Sequence, residues 1–583
     1  MLLSTAQNNT ASLGLIEGCL TAILATMAFI VPRLGSAWFA RIERPFARLA
    51  RRKGLMVAAV GLATLLLRLA LLPLSPIPLP FIPDDFSFLL AADTFAHGRL
   101  TNPTPAMWTH FESIHVSMVP TYMSMYFPGQ GLMLAAGKVL FGNPWFGLLI
   151  VSALMCAAIC WMLQAWLPPS WALLGGILAV LRLGVFSYWI NSYTGGGPIC
   201  ALGGALILGS LPRLMKTARF RYGLLMAVGI VLLVVTRPYE GLLLCLPVAF
   251  VLGRWAIYGK NRPTPGLLMR RAAFPLALVV AAAAWLGYYD YRAFGSPTTL
   301  PYTLNRAQYA VTPYYVWQSQ RPEPTYRHDS MRRFYHSAEL TDFNKSHSLS
   351  GFVPHVLLNA TIVMLFFAGP VLFPPLIMLR RVFLDRRIRF LVLCVLILTP
   401  GMVIEIYLIP HYVAAYTAAF YAIGLQAMRH LRVWTPEHKP VGLQIVRIIV
   451  TLCVVLAVAR VFTVSLHLKV AEWPAGEWSL MWYGPEHFGT ERAQIEAGLE
   501  RLPEKQLVLV QASDKRESLD QWVYNAADID SSKVVWANDM APADNLQLIQ
   551  HYPDRKVWLV QMDTMPATIS PYPMPIQLNA DSK

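Results

Sequence analysis

Apolar stretches of about 20 residues recur from near the N-terminus to about residue 466, and nothing else constrains this chain as strongly. Inside a bilayer no water can satisfy an exposed peptide group, so a segment that crosses alone must be a helix of about that length. Candidate spans fall at roughly 12–32, 54–74, 145–166, 171–189, 196–212, 222–237, 240–258, 272–291, 355–379, 388–408, 411–428 and 443–466. The expected fold class is an all-α polytopic membrane protein with about twelve transmembrane helices. Composition agrees, since 56% of the chain is hydrophobic and 14% charged, against roughly 25% charged in a soluble domain.

The net charge of +16 needs no nucleic-acid partner. Basic clusters fall at 33–53, "RLMKTARFR", "RWAIYGKNRP" with the following "MRR", "RRVFLDRRIR" and "RHLRVW". If the spans alternate, every cluster lies on one side, which the positive-inside rule makes cytoplasmic. The N-terminus is then outside. The stretch before residue 12 lacks the basic flank of a cleavable signal, so 12–32 reads as a retained span. Residues 75–144, 292–354 and the tail after 467 fall outside the cytoplasm and carry most of the acids. Three units are expected: an extra N-terminal span with a basic cytoplasmic segment (1–53), a transmembrane domain (54–466) holding an acidic external loop (75–144) and an aromatic one (292–354), and a soluble tail (467–583).

In the tail "QLVLVQ", "KVVWA" and "KVWLVQM" alternate as strands do, and "TERAQIEAGLERL" and "ADNLQLIQHY" read as helices. That order predicts a small extracytoplasmic α/β domain with a short parallel sheet. The seven cysteines all fall in or beside apolar segments, which excludes a disulfide framework. Cys156 and Cys160 share a helix face without a third ligand type nearby.

The acidic loop opens on "FIPDDFSFLLAADTFAHGRLTNPTP". The spacing predicts a helix over 84–97, with Phe88, Ala91, Ala92 and Phe95 on one apolar face and Gly98 ending it. Asp84 and Asp85 stand at its start, just after Pro83. An Asp there caps a helix and suits its dipole. One acid is enough for that, and two adjacent carboxylates at a membrane edge repel each other, which is how functional sites are often marked.

With the pair, the helix "AADTFAHGRLTNP" and the Pro-led "MYFPGQGLMLAAGKVLFGNPWFG" in that order, the chain resembles the GT-C class of membrane glycosyltransferases. The likeness is to the protein mannosyltransferase and lipid A aminoarabinose transferase branch. It covers about residues 54–430 and is sharpest over 81–147. Asp-Asp stands where the branch also has Asp-Glu, and Phe127-Pro128 where it often has two prolines, which leaves subfamily and substrate open. The resemblance implies a polyprenyl-phosphate sugar donor, transfer with inversion, and Asp84 as the general base, with Asp85 orienting the acceptor or, as the lesser alternative, helping to hold a metal. It implies no metal for the chemistry and no cofactor.

The leaving lipid phosphate needs cationic partners. Arg237 in "VVTRPYEGLL" is the first candidate, beside Tyr239 and Glu240, and it could equally form a structural bridge to Glu240. His411 in "YLIPHYVAAY" and Arg182 in "AVLRLGVFSYW" lie at span ends, where pocket and structural roles both fit. Glu112 and His115 in "HFESIHV" share a face if that segment is helical, and read as polar lining of an acceptor cleft. "INSYTGGGP" is too weak a pattern for a phosphate loop, and the tyrosine-rich 302–335 segment either closes over a sugar or is a solvated loop. The expected partners are the donor lipid, a protein, lipid or glycan acceptor, and the bilayer of the cell membrane. A lipid or polysaccharide transporter is the alternative. It would carry essential charges in central spans and two related halves, and neither pattern is clear in the sequence. A receptor or assembly protein working through its tail is a third reading.

Overall fold

The computed structural model describes residues 13–463, 465, 489–513, 516 and 519–573. The stretch before the first expected span, and the start of the tail at 467–488, lie outside the described residues.

Helices occupy every apolar stretch marked from the sequence. Among the described residues eight are long and apolar enough to cross a membrane: Leu13–Ile30, Lys53–Ala70, Trp145–Trp166, Gly197–Thr217, Pro238–Tyr258, Pro265–Phe294, Ser350–Phe367 and Val441–Val461. Pro169–Gly184, Phe220–Val234 and Arg389–Val403 are shorter apolar helices, and Thr417–Arg432 fills the remaining stretch. The expected span over 355–379 is not one helix. It stops at Phe367, and Pro370, Pro374 and Pro375 lead two short 3₁₀ turns instead, because each proline removes an N–H that a continued helix would need.

Burial sorts the bundle into centre and edge. Of the most apolar window in each helix, 72% is buried for Trp145–Trp166 and 67% for Gly197–Thr217, but only 6% for Pro265–Phe294. The first two form the middle, and the last presents nearly all its surface outward, as a lipid-facing helix does. The N-terminal helix is tied in by charge. Glu17 is fully buried, 3.7 Å from Arg182 and 3.9 Å from Arg460, and accepts the Val371 N–H at 3.1 Å.

The acidic segment forms the helix Pro83–Ala96, with proline at its first position and Gly98 in a left-handed conformation just beyond its end. The sequence pattern gave it a single apolar face. Instead Phe86, Ser87, Phe88, Leu90, Ala91, Ala92 and Thr94 are all buried. The Pro-led helix Pro128–Phe141 packs along one side of it, and the tail covers another.

That tail is a four-stranded sheet in the order β2-β1-β3-β4, where β1 is Lys505–Gln511, β2 Val534–Asn538, β3 Arg555–Gln561 and β4 Thr568–Pro571. β1 pairs in parallel with both β2 and β3, as the strand–helix alternation predicts. β4, which carried no clear strand pattern, adds antiparallel to β3. Helices Thr490–Glu500 and Pro542–His551 complete the unit.

The sheet docks on the acidic loop. Leu507, Leu509, Tyr524 and Val535 share one apolar cluster with Phe86, Leu90, Phe111 and Tyr122. Phe86 and Tyr524 stack with centroids 4.4 Å apart and planes 4° apart, and the Arg492 guanidinium lies 4.8 Å over the same Phe86 ring. Backbone groups are engaged as well. Asp93 accepts the Ala527 N–H at 2.7 Å, Gln521 accepts the Ile114 N–H at 2.7 Å, and Asn538 donates to the carbonyls of His110 and Glu112 at 3.0 Å each.

Candidate active site

The two acids at the start of the Pro83–Ala96 helix point to different surroundings. Neither is the N-cap, a position held by Ile82 without a side-chain bond. Asp85 is fully buried. Its Oδ1 accepts from the Ser192 hydroxyl and the Tyr193 N–H, both at 2.8 Å, and its Oδ2 lies 3.4 Å from the Phe81 N–H. Asp85 therefore ties the acidic helix to the "INSYTGGGP" turn. Burial pushes its carboxyl up to about 7, against the Ser192 and Tyr193 bonds and with the neighbouring Asp84 charge adding.

Asp84 keeps 23% of its side chain exposed. Tyr126 donates its hydroxyl to Asp84 Oδ1 at 2.5 Å, and the same hydroxyl lies 3.0 Å from His115 Nδ1. His115 Nδ1 is in turn 3.4 Å from Asp84 Oδ2. Burial works to raise the Asp84 carboxyl, but His115 first, then Tyr126 and more weakly His411, outweigh it and hold it at about 2. The result is a carboxylate that is charged at any working pH, partly open, and oriented by two neighbours.

Glu112 and His115 do not share a helix face. A short 3₁₀ turn ends at Phe111, and His115 takes a left-handed backbone (φ 64°) before the two-residue strand Val116–Ser117. That turn sends His115 to Asp84, and the Ser87 hydroxyl, at 2.6 Å, and the Met125 N–H, at 3.1 Å, hold its carbonyl. Glu112 goes the other way, to the Tyr309 hydroxyl (3.1 Å), Arg327 (3.3 Å) and His328 (3.6 Å). Burial raises the Glu112 carboxyl against the pull of Arg327 and Tyr309. Among the described residues no three His, Cys, Asp or Glu side chains are grouped to share a metal ion.

The cationic side of the site is built from span ends. Arg237, buried, bonds Glu240 at 2.9 Å and reaches the Gly195 carbonyl at 3.4 Å, with its guanidinium 4.0 Å over the Tyr412 ring. The bridge to Glu240 that the sequence left open is thus formed, and Arg237 also faces aromatic surface. His411 Nδ1 is 2.8 Å from the Tyr188 hydroxyl. Gly195 (φ +85°) passes so close to the His411 ring that an added Cβ would lie 2.5 Å from it, so the Gly-rich turn lets backbone and imidazole meet. Tyr239 donates to the Gly401 carbonyl at 3.0 Å. Arg182 is held elsewhere, in the Glu17 cluster of the N-terminal helix.

Tyr302 joins the two sides. Its ring is 5.5 Å from Tyr126 and 5.9 Å from Tyr314. Burial pushes its hydroxyl well up, with Arg237 opposing and Tyr412, Glu240 and Asp84 adding, so it feels both the acid and the arginine. Of the residues marked from the sequence, Asp84, Arg237 and Glu240 act on this tyrosine, His115 meets Asp84 and His411 meets the Gly-rich turn, while Arg182 and Glu112 lie elsewhere. Tyr126, Tyr302, Tyr188 and Tyr412 were not singled out. Their only signal was a high tyrosine content near the ends of spans. The rest of the aromatic segment is folded rather than loose. Arg306 bonds Glu339 through both oxygens at 2.6 and 2.9 Å, and the Tyr309 and Tyr335 rings stack 5.7 Å apart.

No family model and no curated protein matches the sequence. Among solved structures, the chain is similar to ArnT from Cupriavidus metallidurans in the apo state, over 88% of this chain and 93% of that one, at 12% identity and a TM-score of 0.47. It is also similar to the Archaeoglobus fulgidus oligosaccharyltransferase. The form tethered to an acceptor peptide matches over 86% of this chain and 68% of that one, at 12% identity and a TM-score of 0.46. The complex with zinc and sulfate matches over 87% and 67%, at 12% identity and a TM-score of 0.47.

Proposed function

We propose that this protein is an integral membrane glycosyltransferase of the GT-C kind. It moves a sugar from a polyprenyl-phosphate donor to an acceptor outside the cytoplasm, with inversion at the anomeric carbon. The observation that carries the reading is the Asp84 carboxylate: ionised, partly open, and aligned by Tyr126 and His115, with Tyr126 packed on a Tyr302 that also feels Arg237. An accessible base on one side and a cation on the other are what a single displacement needs.

The donor's lipid lies in the bilayer and its sugar-phosphate enters the site beside Arg237. An acceptor hydroxyl held by Asp84 attacks the anomeric carbon from the opposite side. The new oxygen–carbon bond forms as the carbon–oxygen bond to phosphate breaks. The hydroxyl proton passes to Asp84, and the released charge stays on the lipid phosphate, where Arg237 meets it. A carboxylate held near 2 is a weak base toward a resting alcohol. It takes the proton late, once attack has made the hydroxyl acidic. Glu240 keeps Arg237 oriented, and Asp85 fixes the helix that carries Asp84. The location is the cell membrane, with the site and the tail on the face opposite the basic clusters.

The test is transfer from purified polyprenyl-phosphate sugars by wild type and Asp84→Asn. Loss of a general base predicts a fall of about 10²–10⁴-fold in rate, with insertion unchanged and a cooperative melting transition retained. Full activity in the variant removes Asp84 from the reaction. Failure of the wild type with every such donor overturns the donor class.

A further inference from the structure

The far end of the bundle carries a second feature that the transfer reaction does not use. An apolar cavity of about 320 Å³ lies between the helices Ser350–Phe367, Arg389–Val403 and Thr417–Arg432. Leu178, Phe367 and Leu425 floor it and are buried, whereas Met364, Phe383 and Leu396 at its edge are exposed on the outer surface of the bundle. A groove of this kind, open sideways among membrane helices, is shaped for a hydrocarbon chain.

Its mouth is strongly basic. Leu379 and Phe383 line the groove from the short helix Leu379–Leu384, which also carries Arg380 and Arg381. Arg386, Arg387 and Arg389 follow at once, leading into the helix whose Val392 and Val395 line the groove. All five arginines are exposed, and among the described residues none has an ion-pair partner. The one acid in the segment, Asp385, is taken up by Gln426 at 2.5 Å and His430 at 3.3 Å. This end lies opposite Asp84. The helix Arg389–Val403 runs from these arginines toward Glu405, which bridges Tyr315 of the aromatic segment.

We propose that this groove binds one acyl chain of an anionic phospholipid of the cytoplasmic leaflet, with its phosphate held by the Arg380–Arg389 cluster. Apolar floor and unpaired positive rim together define an amphiphile with a negative head. A zwitterionic lipid offers the same phosphate beside an ammonium that offsets its charge, so it satisfies the groove but gains less from the arginines. The site is separate from the transfer reaction and stands or falls without it.

The test uses the full chain, delipidated in detergent, with phosphatidylglycerol and phosphatidylcholine of identical acyl chains. Retention is read by native mass spectrometry and by the shift in melting temperature. Two arginines engaging one head predict a preference on the order of 30-fold for phosphatidylglycerol. Gly424→Phe fills the groove. A Cβ at position 424 meets nothing within 4 Å, so the backbone accepts it, and binding of both lipids should fall. The quintuple variant Arg380→Gln, Arg381→Gln, Arg386→Gln, Arg387→Gln, Arg389→Gln changes only exposed side chains, and should leave the two lipids binding alike. Equal binding by the wild type, undiminished binding in Gly424→Phe, or retained preference in the quintuple variant overturns the proposal. Displacement of phosphatidylglycerol by a polyprenyl phosphate at lower concentration overturns the assignment to a phospholipid.

Discussion

His115→Gln isolates what sets the base. The Asp84 carboxyl sits at about 2 instead of 3.8, although burial alone would raise it, and His115 is the largest of the groups that bring it down. A displacement of that size corresponds to roughly 2.5 kcal/mol in favour of the charged form. Because the folded value lies below the ordinary one, that stabilisation is full above 3.8 and is lost only as pH falls through about 2. The acid limb of kcat/KM reports the free enzyme's base, so wild type should hold its activity down to the lowest pH that detergent-solubilised protein tolerates. Removing the imidazole leaves burial opposed by Tyr126 and, more weakly, His411. The Asp84 carboxyl then returns to or above 3.8, and an acid limb enters the measurable range between about pH 4 and 6. The assay is kcat/KM for sugar transfer across that range, with melting temperature at each pH to separate inactivation from unfolding. An acid limb that does not move in His115→Gln refutes the pairing of His115 with the carboxylate proposed as the base.

Asp85→Asn keeps an acceptor for Ser192 and Tyr193 but turns an amide toward the Phe81 N–H, which should cost about 1–2 kcal/mol by melting. An acid raised to about 7 stabilises the fold while protonated, so that contribution is full below 3.8 and fades as pH rises through about 7. Melting curves between pH 6 and 8 should show this loss in wild type and lack it in Asp85→Asn. Tyr524→Ala removes the ring stacked on Phe86 and should cost roughly 3 kcal/mol of docking. Protease should then release the tail faster, and transfer should fall although no group near the reacting atoms has changed.

The fold was legible where one local rule acts. Apolar runs gave the helices, Pro83 and Gly98 bounded the acidic helix, and alternation gave three strands of the tail. It failed where prolines broke a run that hydropathy joined, at 370–375, and where the acidic helix gained a cover that its own sequence does not describe. The site was half legible. Asp84 stood out because two acids meet at a membrane edge, and Arg237 because it interrupts an apolar run. His115 was noticed for the wrong neighbour. Its spacing from Glu112 matters only on a helix, and the left-handed turn at His115 separates them. Arg182 reads as a pocket residue until Glu17, from the other end of the bundle's sequence, is seen beside it. Tyr302, Tyr126 and Tyr412 come from three distant segments, and no local pattern can bring them together.

The sheet that covers the acidic helix comes from far downstream of it in the polypeptide. A nascent chain exposes Asp84 early, yet Phe86 and Leu90 stay uncovered until the strands at 505–511 and 534–538 have been synthesised and have crossed to the same face. A chain interrupted between His411 and that point would carry every group proposed for the reaction with Phe86 and Leu90 bare, and is expected to be inert.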